Sequence, residues 1–128
     1  MRIQPKVVEL GHHRRELQSL TGLNVEDAQA RRMLNDIASF TAHFELGRED
    51  RMLVANRWMN QIYEPIMQMV PPEARGKLEP AELFHEILVH RWYLSERAGR
   101  EVHIFEAAQD YIANVLTQKP DEAVAADD

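Results

Sequence analysis

The chain of 128 residues contains no cysteine. That excludes a disulfide framework, a thiolate metal site and a cysteine nucleophile, and it fits a reducing compartment. No apolar run approaches the ~18 residues that a membrane-spanning helix needs. The opening MRIQPKVVELGHH also lacks the apolar core of a secretory signal. No phosphate-cradling G-x-x-x-x-G-K-[ST], no G-x-G-x-x-G and no G-x-S-x-G occurs. Ser19, Ser39 and Ser95 have no evident base or orienting acid. These absences predict a cytoplasmic protein with no membrane attachment, no cofactor and no catalytic set of its own.

Charge is present but unevenly spread. Residues 1–57 hold nine Lys/Arg against eight Asp/Glu, a net of +1; residues 58–128 hold six against thirteen, a net of −7. The acidic balance argues against nucleic acid as a partner, because binding a polyanion requires a basic footprint. At 45% hydrophobic and 28% charged residues, the composition is that of an ordinary globular chain.

The periodicity throughout is helical. We read the chain as all-α: a single bundle of about five helices over residues 1–118, with a short extended segment at Lys6-Val7-Val8. An acidic, disordered tail is predicted over residues 119–128. The first helix lies in GHHRRELQSLTG and stops at Gly22. The second starts from an Asn24 cap, with Asp27 in the role of the capping-box acid, and runs to Leu46 before Gly47. Its core stripe is Ala30, Met33, Leu34, Ile37, Thr41 and Phe44, with Phe40 beside it. The third spans about Glu49 to Met69 on a stripe of Met52, Ala55, Met59, Ile62, Ile66 and Met69, flanked by Trp58 and Tyr63. Pro65 has no N–H for the helical ladder, so a kink is expected at Gln61–Pro65. The last helix covers about Ile104 to Gln118.

The segment GKLEPAELFHEILVHRWYLSERAGR, residues 76–100, organises the rest. Pro80 suits a first helical position, and Glu79 and Glu82 complement the positive end of the helix dipole. Arg97 and Gly99 mark the other end. Leu83, Phe84, Ile87, Leu88, Leu94 and Ala98 share one face at 100° per residue. Arg91 falls within that face, where a structural ion pair or a snorkelling stem is the plain reading and an anionic ligand the sharper one. The opposite face carries His85, Val89, Trp92, Tyr93 and Glu96. The helix either packs on both sides, the reading we favour, or shows this aromatic face to a protein partner or a second copy.

Two further sites merit a test. His12, Arg14, Arg15 and Arg91 form a candidate anion- or phosphate-binding set, although a solvated helix start is the favoured reading of the first three and anion contact the alternative. His85-Glu86-Ile87-Leu88-Val89-His90 has one residue too many for H-E-x-x-H, so its histidines point about 140° apart and cannot share a metal. Glu82-x-x-His85 matches half of a di-iron pair, but a second inward-facing set is missing, so no metal site is assigned.

Leu20–Leu23, Gln29–Asp36, Gly76–Glu86 and His90–Glu96 together resemble a domain of unknown function found mainly in actinobacterial proteins. The resemblance extends from about Pro5 to Leu116. It implies a helical module that follows a region similar to lipopolysaccharide kinases. No kinase-like loop signature is present, so the chain looks like the C-terminal part of such a protein or a shortened relative. An accessory or interaction role, with a kinase-like domain as partner, follows as an expectation.

Overall fold

The structure, a computed structural model, describes residues 11–120. The extended segment at Lys6–Val8 and the acidic tail from Asp121 onward therefore lie outside the described residues. All regular structure within them is helical. Helix α1 is His12–Thr21, α2 is Asp27–His43 and α3 is Arg51–Trp58. A π-helical turn follows at Met59–Tyr63, then α4 at Glu64–Met69 and a 3-10 turn at Pro72–Ala74. Helix α5 is Pro80–Ala98, α6 is Ile104–Asn114, and a last 3-10 turn is Leu116–Gln118. With the pieces from Arg51 to Met69 taken as one interrupted helix, the described residues hold the five helices that the periodicity predicts.

Packing divides the chain into two compact units, with the boundary between Ile62 and Tyr63. In the first, α1, α2 and α3 pack on one another. In the second, α5 packs on α6, which also receives α4 and the last 3-10 turn.

Several helix ends follow directly from residue chemistry. Gly22 adopts φ 82°, closed to L side chains at low cost, and its N–H donates to the Gln18 carbonyl at 2.8 Å. Gly99 does the same for α5 at φ 68°, donating to Ser95. Pro80 occupies the first helical position after Glu79, as expected.

Both ends of α2 differ from the sequence reading. Glu26, not Asn24, is the N-cap, in a capping box whose Gln29 side chain accepts the Glu26 N–H at 3.2 Å. Asp27 is drawn away from a capping role because its carboxylate accepts the backbone N–H of Arg14 at 3.0 Å and lies 3.3 Å from His13 Nδ1. At the other end the helix stops at His43. Glu45 takes the left-handed conformation at φ 56°, with Glu45 N–H on the Ala42 carbonyl and Leu46 N–H on that of Thr41. That is a Schellman closure with glutamate where glycine is usual, so Gly47 is not the stop. Glu45→Gly should accordingly raise stability by about 1 kcal/mol, the order of the left-handed penalty for a residue with a Cβ. A urea midpoint unchanged or lowered by this substitution would contradict the strain.

The buried side chains of the first unit include Leu17, Ala30, Met33, Ile37, Phe40, Val54, Ala55 and Trp58. Phe44, expected in the α2 core, is 48% exposed because it lies past the last helical turn. In α3 the buried stripe is turned from the expected one. Val54, Ala55 and Trp58 face inward, while Met52 is 55% exposed. Asp50 caps this helix by accepting the N–H groups of Met52 and Leu53, and the Trp58 indole N–H donates to Asp36 Oδ2 at 2.8 Å. The predicted irregularity before Pro65 takes the form of the π turn. The second unit buries Tyr63, Ile66, Leu83, Phe84, Ile87, Leu88, Ile104, Tyr111 and Leu116 among others, whereas Ala98 is exposed.

Candidate functional site

Helix α5 changes character along its length. Its first turns bury Leu83, Phe84, Ile87 and Leu88. Past Val89 the burial falls away: Leu94 is half-buried, and Trp92 and Tyr93 are each 58% exposed. Their rings meet edge to face, with centroids 5.1 Å apart. Glu96 is exposed, and His85 and Val89 are half-buried. Steps of three and four residues place Val89, Trp92, Tyr93 and Glu96 side by side, with His85 one turn earlier. The two-sided packing favoured from the sequence therefore fails at this end of the helix. The aromatic residues face solvent, on the side of α5 turned away from the stripe that buries Leu83, Phe84, Ile87 and Leu88.

The candidate anion set is divided. His12, Arg14 and Arg15 lie on α1 in the first unit, and Arg91 is a half-buried residue of α5 in the second. Carboxylates stand beside the candidate residues of α1. His12 is 3.7 Å from Glu16, which also pairs with Arg51. The Arg14 guanidinium reaches Asn24 Oδ1 at 3.4 Å. The Arg14 backbone N–H, foremost, and the His13 contact hold the Asp27 carboxyl below its ordinary range.

One polar cluster escaped the sequence reading. On α5 and α6, His90 Nε2 lies 2.7 Å from Asp110 Oδ2, and Asn114 Nδ2 donates to Asp110 Oδ1 at 2.9 Å. The Tyr111 hydroxyl donates to Glu86, and the His90 and Tyr111 rings stand edge to face at 5.5 Å. Burial, then the Glu86 carboxylate, pushes the Tyr111 phenol well above its ordinary range. The phenol therefore stays neutral and keeps its proton for Glu86, so the cluster clasps α5 to α6. The sequence signals were the i,i+4 pairs Glu86/His90 and Asp110/Asn114. Each shows only that two residues share a face, not which faces meet.

Among the described residues, no group of three or more His, Cys, Asp or Glu side chains is placed to hold a metal ion. No helix of the described residues is long and apolar enough to cross a membrane. The first unit has a cleft of about 420 Å³ whose walls include Leu20, Leu34, Ile37 and Leu46, with Glu16 and Arg51 among its lining residues. Neither a curated protein nor a solved structure matches the chain. A family model does, over residues 1–116, which contain every helix described above except the end of the last 3-10 turn. The chain thus belongs to the family described as domain of unknown function (DUF4032).

Proposed function

We propose that this chain is a protein-interaction module that docks a partner through the Val89, Trp92, Tyr93 and Glu96 face of α5. The exposure of the adjacent Trp92 and Tyr93 rings supports this reading most directly. Leaving two large aromatic side chains in water forgoes the burial that a folded chain ordinarily achieves, and Trp and Tyr dominate the energetics of protein interfaces. The partner we favour is a kinase-like domain, the neighbour that the family resemblance implies. The anion-binding reading draws less support, since the Glu16 carboxylate lies 3.7 Å from His12 and Asp27 accepts the Arg14 backbone N–H, which puts carboxylates within the candidate set. A metal-dependent reaction draws none from the side chains described.

The two tryptophans make the proposal testable by fluorescence. Trp58 is fully buried and Trp92 is 58% exposed. Emission accessible to acrylamide should therefore come from Trp92 and be lost in Trp92→Phe. Adding a kinase-like domain should protect that emission, and Trp92→Ala with Tyr93→Ala should abolish co-purification while helix content by circular dichroism stays unchanged. Co-purification that survives the double substitution, or loss of helix content in it, would remove this face as the docking surface.

A further inference from the structure

We infer that the four residues Met59–Ile62 form a hinge between the two compact units, imposed by Pro65. The inference is independent of the docking face on α5. The first observation is the backbone: the chain leaves α geometry for a π turn over Met59–Tyr63 and resumes it at Glu64. Such wide turns are rare and interrupt the regular ladder of a helix. The cause lies two residues on. In an unbroken α-helix the N–H at position 65 would donate to the Gln61 carbonyl. Proline has no such N–H, and its ring collides with that carbonyl, so the turn widens ahead of it.

The second observation is how the ends of this turn are held. Trp58 is fully buried, with its indole N–H on Asp36 of the first unit. Tyr63 is 6% exposed, with its ring centroid 5.3 Å from that of Phe84 in the second unit. Between these anchors Met59 and Ile62 are half-buried, and Asn60 and Gln61 are exposed. The third observation is that the boundary between the units falls at Ile62/Tyr63, inside this turn. A segment with an interrupted ladder and few buried side chains, set between two well-anchored residues, is where local opening costs least. A change between π and α geometry there also rotates the helical phase of everything that follows, because side-chain direction advances with each residue. Hinges of this kind absorb backbone change over a few element-terminal positions.

The absence of cysteine makes the test direct. Spin labels at Ser39→Cys and Gln109→Cys, both exposed, span the turn, and labels at Ser39→Cys and Gln18→Cys stay within the first unit. The spanning pair should show a wider distance distribution than the control, and amides of 59–64 should exchange about tenfold faster than those of α5. Pro65→Ala restores the missing donor and should narrow the spanning distribution to the control's width. Should that variant not fold, Pro65→Gln, which supplies the same donor with a good helix-forming side chain, should narrow it in the same direction. A spanning distribution as narrow as the control in the unaltered chain, or one whose width neither variant changes, would overturn the hinge.

Discussion

Trp58→Ala should cost about 3–5 kcal/mol of stability, the range for removing a large aromatic side chain from a packed interior. The ring is fully buried in the first unit. Its indole N–H donates to Asp36 across 22 residues of sequence, so truncation also takes a donor from a partly buried carboxylate. Against a typical total of about 5–15 kcal/mol, this is a large fraction of the margin. Trp58→Phe should cost less, because most of the packing survives and the lost hydrogen bond contributes about 1 kcal/mol. Urea denaturation of the two variants measures both numbers. A Trp58→Ala midpoint close to that of the unaltered chain would mean that the α3 stripe is not turned as described.

Phe84→Ala should be comparably damaging, at about 3–5 kcal/mol. The Phe84 side chain has no exposed surface, and it packs against the Tyr63 ring. Eight residues further along the same helix, Trp92→Ala should change stability by no more than about 0.5 kcal/mol, as surface substitutions usually do. The contrast between two aromatic truncations on one helix separates the buried part of α5 from the proposed docking face. Equal losses at the two positions would show that Trp92 is structural and would end its candidacy as a binding residue.

Much of the fold was legible because its signals are local. Gly22, Gly99, Pro80 and Pro65 mark helix ends and the irregular turn through the backbone angles and the donor that each residue permits or lacks. The face formed by Leu83, Phe84, Ile87 and Leu88 follows from spacing alone. The α3 stripe is ambiguous in the sequence because apolar residues lie on more than one side of that helix. Met52 and Met59 on one reading, and Val54 and Trp58 on the other, both repeat at helical intervals, and only packing against α1 and α2 selects between them. The α2 start is ambiguous in the sequence because Glu26 as well as Asn24 can take the cap position, and Asp27 is engaged by Arg14 and His13 of the preceding helix. Among the site residues, Trp92 and Tyr93 were legible as an anomaly, but not as an exposed one.

By itself, the sequence determined the helical class, the proline and glycine boundaries of the α5 segment and the absence of thiol chemistry. All of these depend on residue type and on neighbours within about one helical turn. Only the tertiary structure decided that Trp58 is buried while Trp92 is exposed, and that His90 meets Asp110 and Glu86 meets Tyr111. Those outcomes depend on which helix faces lie against each other, and the partners stand 20 to 25 residues apart in the chain. Helical periodicity gives the direction of a side chain around its own axis and carries no information about what waits on the other side.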